Sequence, residues 1–350
     1  MRRRHLFLAA LPLLQAACRG VGGGVADRRA PEDGGIGGTG RFAAAEHGFD
    51  DGGIGGTGVF GSVTGLGSLR VNGLLLETSL ATAFETPGGA PVLPGDTVAA
   101  EAAPREGGGG AGRLLATRVA VFHPVTGPLE RAADGGGWSV LGTRLVLAPG
   151  VPVRDARGGA AAELRPGRTV AVSGLWRDEA VVATSLRVLD SGAPAAASLR
   201  GLLRAEDGGL VVGGTRVDAR GVPAAGASVG RFVTVQGRPA GGGGLVAEGF
   251  EERPLAVFSG RVSALSVEGF VSPNRDAPGH HLSGFGLQLD PSSPAPARLG
   301  VRQVLLGRYR DLFRVEQGLP LPADEEARRR ALEGAAAEAA IARWRLSSFR

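Results

Sequence analysis

The chain has 350 residues, of which 43% are hydrophobic and 5% aromatic, so it is long enough for several small domains with ordinary cores. Its 61 glycines and 22 prolines indicate a chain rich in turns. The formal net charge is +5, but Arg2, Arg3 and Arg4 supply three of these charges. The nearly balanced remainder has no arginine-dense stretch resembling a phosphate track, which argues against nucleic-acid binding.

The first 18 residues, MRRRHLFLAALPLLQAAC, have the pattern of an export signal. A basic start is followed by an apolar run that is too short to span a bilayer as a helix, and residues 1–17 are therefore predicted to be a signal peptide. Cys18, the only cysteine, lies where bacterial lipoprotein signals place the cysteine that accepts lipid. The sequence thus predicts lipidation of Cys18 and attachment to a membrane through this anchor.

Two points about export stay open. Gln15 occupies a position where such signals usually carry an apolar residue, so an ordinary signal peptide with an incidental Cys18 is the alternative. Arg3 and Arg4 also permit twin-arginine export as well as the general secretory route. Arg19 follows the cysteine instead of an aspartate, which favours the periplasmic face of the outer membrane. The alternative is a soluble periplasmic or secreted protein.

Residues 18–58 are predicted to be a glycine-rich tether that contains the box GGIGGTG twice, at 34–40 and 52–58. Each box contains G-x-G-x-x-G, but a dinucleotide site needs this motif between a parallel strand and a helix. The first box does not follow a strand, and the second leads into one. The sequence also has no lysine for a phosphate-binding loop. We therefore predict no cofactor.

The following chain repeats about every 65 residues. Segments such as PGDTVAAEA, PGRTVAVSG and VGRFVTVQG each begin with a glycine turn and then alternate apolar and polar residues, as half-buried strands do. Short strands separated by glycine and proline turns predict an all-β fold of four tandem OB-like β-barrels of about 60–70 residues each. The predicted barrels span 59–124, 125–192, 193–254 and 255–321, and the fourth is the most divergent.

Residues 322–350 are predicted to end the chain in an α-helix. Asp324, Glu325 and Glu326 lie at its start and Arg343 and Arg345 near its end, which complements the helix dipole at both termini. Packing on the last barrel is one interpretation of this helix, and binding of a partner is the other.

The chain resembles a family of bacterial exported proteins. The two boxes lead directly into VFGSVTGLGSLRVNGLLLET, and WSVLGTRLVL and LRPGRTVAVSG follow. Over about residues 33–320 these segments are similar to proteins carrying domain of unknown function 5666. The resemblance implies tandem OB-like barrels and an exported protein, and it implies no catalytic residues.

A few side chains are candidates for binding. Trp138 and Trp176 are predicted to stack on a sugar or base if they are exposed near a barrel loop, and to be core residues otherwise. A basic patch for an acidic partner or lipid headgroups is predicted from residues late in the fourth unit, the alternative being a solvated strand face: Arg302, Arg308, Tyr309 and Arg310. His280 and His281 are adjacent and point to opposite faces of an extended chain, which disfavours a shared metal ion.

The sequence contains no recognisable catalytic constellation, and no catalytic or metal-binding residue is predicted. The first hypothesis is a lipid-anchored, non-enzymatic interaction or scaffold module of the cell envelope, with a protein partner. The second is a periplasmic binding protein for a polysaccharide or peptidoglycan-like ligand. An enzyme of unknown type is the third.

Overall fold

The strands and helices follow from alternating apolar residues separated by glycine turns. The computed structural model describes residues 56–104, 113–132, 135–160, 163–189, 197–222, 228–252, 257–258, 262–275, 278–295 and 297–348. These residues lie in one unit, Gly52–Arg350. They form small β-barrels followed by two helices, which confirms the predicted all-β fold class.

Barrel 1 contains β1 (Gly56–Gly65), β2 (Leu69–Val71), β3 (Leu74–Glu77), β4 (Ala83–Glu85), β5 (Thr97–Pro104) and β6 (Arg113–Val121). β1 pairs antiparallel with both β2 and β5, while β2 pairs with β3 and β5 with β6. The parallel pairing of β3 with β6 closes this sheet into a barrel. Closure removes the free strand edges that would otherwise pair with other chains.

Barrels 2 and 3 repeat this connectivity. Barrel 2 contains β7 (Val125–Arg131), β8 (Trp138–Val140), β9 (Thr143–Leu147), β10 (Val153–Arg154), β11 (Thr169–Arg177) and β12 (Ala180–Val188). Barrel 3 contains β13 (Ala197–Glu206), β14 (Gly209–Val212), β15 (Thr215–Asp218), β16 (Phe232–Ala240) and β17 (Gly244–Glu252). The parallel pairs β9–β12 and β15–β17 occupy the closing position that β3–β6 has in barrel 1.

Barrel 4 has the same strand order but is only weakly closed. Its strands are β18 (Val262–Gly269), β19 (Val271–Pro273), β20 (His280–Leu282), β21 (Leu287–Gln288), β22 (Gln303–Tyr309) and β23 (Phe313–Pro320). β19, β20 and β21 form a separate small sheet, because Phe270 interrupts the strand that would continue from β18. The described closure is a single parallel bridge between Leu289 and Phe313.

The barrels are joined in pairs by hydrogen bonding between their first strands. β1 pairs in parallel with β18, which joins barrel 1 to barrel 4, and β7 pairs antiparallel with β13, which joins barrel 2 to barrel 3. Aromatic side chains from three barrels meet in a common cluster between the pairs, where the rings of Phe60, Phe122 and Phe285 lie 4.6–5.7 Å apart. The barrels therefore pack into one body.

The second GGIGGTG box contributes to this body. β1 begins at Gly56, not at Val59 as predicted, so the last three residues of the box belong to barrel 1. Thr57 is only 2% exposed. A Cβ on Gly58 would lie 2.8 Å from the side chain of Leu265, so a side chain there would collide with barrel 4. The first box and the rest of the predicted tether lie outside the described residues.

The predicted C-terminal helix is present as α1 (Glu325–Glu333) and α2 (Ala335–Ser348), which are divided at Gly334. Asp324 caps α1, since its carboxylate accepts a hydrogen bond from the Ala327 amide at 2.7 Å. The buried side chains of the helices, including Leu332, Ile341 and Trp344, pack into the core of barrel 1. Among the described helices, none is both long and apolar enough to cross a membrane.

Candidate functional site

The surfaces with which OB folds bind ligands are built from their second and third strands and adjacent loops. In barrels 2 and 3 the turns at one end of these strands meet. A Cβ on Gly142, in the β8–β9 turn, would lie 2.3 Å from the Gly243 carbonyl in barrel 3. The hydroxyls of Thr143 and Thr215, the first residues of β9 and β15, lie 2.7 Å apart. The turns of the two barrels thus pack against each other, while Arg144 on β9 and Arg216 on β15 remain exposed.

The equivalent turn of barrel 1 is also covered. Asn72 and Gly73 form a two-residue turn between β2 and β3 with left-handed φ angles of 56° and 79°, as a type I′ hairpin requires. A Cβ on Gly73 would lie 2.6 Å from the Leu332 carbonyl of α1. The C-terminal helices therefore occupy this side of barrel 1.

Barrel 4 presents the same surface to a cleft of about 590 Å³. Its sheet β19–β20–β21 forms one wall, and the β11–β12 turn of barrel 2 and strand β13 of barrel 3 form the other. Ser272, His281 and Gln288 are cross-strand neighbours in this sheet and line the cleft together. The apolar side chains at their neighbours Val271 and Leu282 are buried in the barrel core. The alternation of strand side chains thus gives this surface a polar outer face.

The polar side chains of this face are organised in two hydrogen-bonded groups. In the first, Ser272 Oγ donates to Asp178 Oδ1 at 2.7 Å and lies 2.6 Å from Ser283 Oγ, which therefore donates to it. In the second, Asn274 Nδ2 donates to Gln288 Oε1 at 2.9 Å. Asn274 Oδ1 in turn lies 2.9 Å from Nδ1 of His281.

The contact with Asn274 defines the protonation of His281. An amide oxygen only accepts hydrogen bonds, so Nδ1 of His281 carries the proton and Nε2 keeps its lone pair. Burial lowers the pKa of His281 below its usual value of 6.5, although the negative charge of Asp178 opposes this effect. His281 is therefore a neutral side chain with one acceptor nitrogen.

The charged residues at the rim neutralise each other. Glu179 accepts hydrogen bonds from Arg275 at 2.8 Å and from Arg204 at 3.2 Å. The hydrogen bond from Arg275 is the main reason that the pKa of Glu179 is lowered. Glu206 lies 3.4 Å from Arg275 and 3.7 Å from Arg204. Two arginines thus balance two glutamates at this rim.

The hydrogen bonds in the described residues do not assemble a catalytic triad. Ser272 is bonded to Asp178, whereas His281 is bonded to Asn274. In a Ser–His–Asp triad the histidine lies between the serine and the carboxylate. The described residues also contain no group of three or more His, Cys, Asp or Glu side chains that could hold a metal ion. The arrangement is suited to hydrogen bonding with a polar ligand.

The prediction that Trp176 stacks on a ligand needs correction. Trp176 is 1% exposed, and its Nε1 donates to the Arg200 carbonyl at 2.9 Å. A Cβ on Gly213 or Gly284 would lie 2.1–2.2 Å from its indole, so these glycines of barrels 3 and 4 lie directly against the ring. Trp176 is a core residue at the junction of three barrels and lies beneath the cleft.

Trp138 is half-buried, and one face of its ring is covered. The guanidinium carbon of Arg131 lies 4.0 Å from the ring centroid, as in a cation–π pair. Trp138 also packs on the barrel 2 core. It is not among the residues that line the barrel 4 cleft. Its predicted role in stacking stays a prediction.

The predicted basic patch is not one surface. Arg302, the residue directly before β22, is buried and forms an ion pair with Glu268 at 2.6 Å, so it cannot contact a partner. Arg308 is half-exposed at the other end of the strand and pairs with Glu316 at 3.1 Å. Tyr309 is half-buried and Arg310 is exposed. The patch is thus reduced to the residues near the β22–β23 turn.

Sequence reasoning missed most residues of the cleft. His280 and His281 do point to opposite faces, but His281 belongs to a polar row that the neighbouring strands complete. The alternation of polar residues at 272 and 274, and again at 281 and 283, is the local signal. Asp178 gave no such signal, because it reaches the site from a turn in another barrel. Cys18, the predicted lipidation site, lies outside the described residues.

Residues 57–120 match the model of the family described as Domain of unknown function (DUF5666). These residues are barrel 1 almost from end to end. The match supports this domain family for the first barrel, and barrels 2 to 4 repeat its topology outside the matched residues. No curated protein and no solved structure matches the chain.

Proposed function

We propose that this chain is an exported, non-enzymatic binding protein of the bacterial cell envelope, and that its barrel 4 cleft binds a hydroxyl-rich polymer of the polysaccharide or peptidoglycan type. The observation that carries the proposal is the position of the cleft. It lies on the strand surface through which OB folds bind oligosaccharides and oligonucleotides, whereas in barrels 1, 2 and 3 the turn between the second and third strands packs against another part of the body.

The chemistry of the cleft favours a sugar over a nucleic acid. Ser272, Asn274, Ser283 and Gln288 each combine donor and acceptor groups, as sugar hydroxyls do. The rim arginines are neutralised by glutamates, whereas nucleic-acid sites rely on unbalanced positive charge. The proposal therefore excludes nucleic acid as the ligand and ranks cleft binding above a scaffold role without a ligand.

The proposed location rests on the amino-terminal sequence. A lipid on Cys18 would hold the protein at the periplasmic face of the outer membrane, and the glycine-rich segment after it would connect the anchor to barrel 1. Intact protein should then fractionate with membranes, and Cys18→Ser should release it and change its mobility. If the unchanged protein is wholly soluble, the anchor is wrong and a soluble exported protein replaces it.

Ligand binding is tested by isothermal titration of the full chain with soluble peptidoglycan fragments and with an uncharged N-acetylglucosamine oligomer. Asn274→Ala should weaken binding about tenfold, because it removes one cleft hydrogen-bonding group and releases His281. His281→Ala should have a similar effect.

The matched control is His280→Ala, which changes the adjacent, exposed side chain on the opposite face of β20. It should leave the affinity unchanged. If Asn274→Ala, His281→Ala and His280→Ala all bind the probe as tightly as the unchanged protein, the ligand binds outside this cleft. If neither probe binds and crosslinking in the envelope captures a reproducible protein partner, the scaffold hypothesis replaces the proposal.

A further inference from the structure

A second cavity of about 310 Å³ lies at the junction of barrels 1, 2 and 3, and its lining shares no residue with the barrel 4 cleft. Barrel 1 contributes the segment around Thr86 and Pro87, and the link between barrels 1 and 2 contributes His123. The opposite side is formed by the sheet that barrels 2 and 3 share.

That sheet forms a polar row along the cavity. The row crosses β12, β11, β7, β13 and β16, and consecutive members are paired residues: Arg187, Ala171, Thr126, Ser198 and Gln236. All five line the cavity. Arg200 lies two residues beyond Ser198 on the same strand and therefore on the same face. The pairing of β7 with β13 is what brings the polar groups of two barrels into one row.

His123 is the unusual member of the lining. It is 6% exposed, and none of the other described residues hydrogen bonds to its imidazole. Its ring nitrogens are not among the fully enclosed side-chain atoms without a partner, so they are accessible from the cavity. The side of the cavity that His123 lines is otherwise formed by barrel 1, with Thr86 and Val121 nearby. A ligand in the cavity could therefore hydrogen bond to the imidazole of His123.

The charged side chains that line the cavity beside His123 are Arg187 and Arg200. The adjoining cavity, which Arg200 also lines, is lined by Glu85 and Glu251. Asp96 lies behind Arg187 at 3.1 Å, but it is shared with Arg154 at 3.8 Å, so one carboxylate faces two guanidinium groups. Burial, and then the positive charges of Arg200 and Arg187, lower the pKa of His123 to about 3, which leaves it neutral at pH 7.

We propose that this cavity is a binding site for a small organic anion, whose carboxylate or phosphate oxygens lie between His123 and the guanidinium groups of Arg187 and Arg200. The hydroxyls of Thr126 and Ser198 and the amide of Gln236 then hydrogen bond to the rest of the ligand. The size of the cavity falls at the lower end of the range for small-molecule sites. The site is independent of the proposed polysaccharide cleft.

Binding of an anion also changes the protonation of His123. The charged groups that face its ring from the packed strands are Arg187 on β12 and Arg200 on β13, and both disfavour an imidazolium. A bound anion adds a negative charge beside them and raises the pKa of His123. Proton uptake then accompanies binding, so the affinity for the anion increases as the pH falls.

The experiment titrates the full chain separately with inorganic phosphate, acetate and succinate, and follows binding by calorimetry and by nitrogen-15 spectra of the histidines. The chain has five histidines, and His123→Gln identifies the signal of residue 123. Binding of phosphate alone would identify a phosphate site, and binding of acetate or succinate alone would identify a carboxylate site. We expect at least one of these anions to shift the His123 signal.

Two variants locate the anion. Arg200→Gln should weaken binding at least tenfold. Gln236→Glu should weaken it several-fold, because it adds a negative charge at an exposed position on the cavity wall. Arg216→Gln is the control, since Arg216 is exposed and remote from the cavity lining, and it should leave the affinity unchanged.

Several results would overturn the proposal. The first is that none of the three anions shifts the His123 signal. The second is that acetamide, an uncharged analogue of acetate, binds as tightly as acetate. The third is that Arg200→Gln and Gln236→Glu both bind the anion as the unchanged protein does.

Discussion

Barrels 1 and 4 meet along five paired positions of β1 and β18, whereas barrels 2 and 3 share two paired positions of β7 and β13. We call the whole interface between barrels 1 and 4 the 1–4 seam and that between barrels 2 and 3 the 2–3 seam. The 1–4 seam buries the ion pair of Glu268 with Arg302. Glu268 also accepts hydrogen bonds from the amide and the hydroxyl of Ser62 at 2.7 and 2.8 Å.

The buried polar contact between barrels 2 and 3 is uncharged, and their ion pair of Arg204 with Glu179 lies at the partly exposed rim of the cleft. The buried contact joins the hydroxyls of Thr143 and Thr215, and the turns of the 2–3 seam fit together because glycines leave room for the neighbouring backbone. A buried ion pair is costly to break on one side, while a pair of hydroxyls can be replaced with little net loss. The two seams should therefore respond differently to the same kind of substitution.

The largest effect is expected from Arg302→Ala. It leaves the carboxylate of Glu268, which is 0% exposed, without its counter-ion, and should lower the free energy of unfolding by about 3–5 kcal/mol. Urea denaturation measures this change. Arg308→Ala removes a half-exposed arginine from the same strand and should cost less than about 1 kcal/mol. Equal losses in the two variants would contradict a buried role for Arg302.

Acid should affect the junction of barrels 1 and 2 before it affects the 1–4 seam. The pKa of His123 is lowered from 6.5 to about 3, so between these values the unfolded chain binds a proton that the folded chain does not. Stability should fall there by about 1.4 kcal/mol per pH unit, or about 3 kcal/mol at pH 4.5. Denaturation at pH 7 and 4.5 measures the loss, which His123→Gln should reduce.

Glu268 loses its charge only at a more acidic pH, below 4.5. Burial raises its pKa, but the attraction of Arg302 and the hydrogen bonds of Ser62 outweigh burial and lower it below 4.5. The stabilisation by Glu268 is present above that pH and is lost as the pH falls through the lowered value. If His123→Gln leaves the loss between pH 7 and 4.5 unchanged, the early acid sensitivity does not come from His123.

The smallest effect is expected in the 2–3 seam. Thr143→Val leaves the buried hydroxyl of Thr215 without its partner and should cost about 1 kcal/mol. The double variant with Thr215→Val replaces both hydroxyls and should recover most of that loss. A thermodynamic cycle of the four proteins measures the coupling. Additive losses would show that the two hydroxyls do not interact.

The repeated glycine turns and the period-two alternation were sufficient to predict the barrels, because each strand pattern is local. Residues whose roles depend on another barrel were not predictable. Arginine and tryptophan are residue types that often bind ligands at a surface. Arg302 and Trp176 are instead buried against Glu268 and Gly284, which are distant from them in the sequence. The cleft and the second cavity depend on strand pairings between barrels, which a single sequence does not contain.

The GGIGGTG boxes show the same limit. The boxes at 34–40 and 52–58 have identical sequences, and only the position of the second, directly before a predicted strand, distinguished them. Thr57 and Gly58 of the second box are part of β1. Position 58 requires glycine because any side chain there would collide with Leu265 and Phe258. The isoleucine that the two boxes have in common, Ile36 in the first and Ile54 in the second, lies outside the described residues.

The parallel pairing of β1 with β18 also sets an order of events during folding. Ser62 and Glu268, which meet at this seam, are 206 positions apart in the chain. Until the chain reaches β18, one edge of the first strand has no partner, and such edges recruit other chains. Contacts of such long range slow folding. A chain stopped before residue 262 would present this edge, so the first strand is completed only when the last barrel has been made.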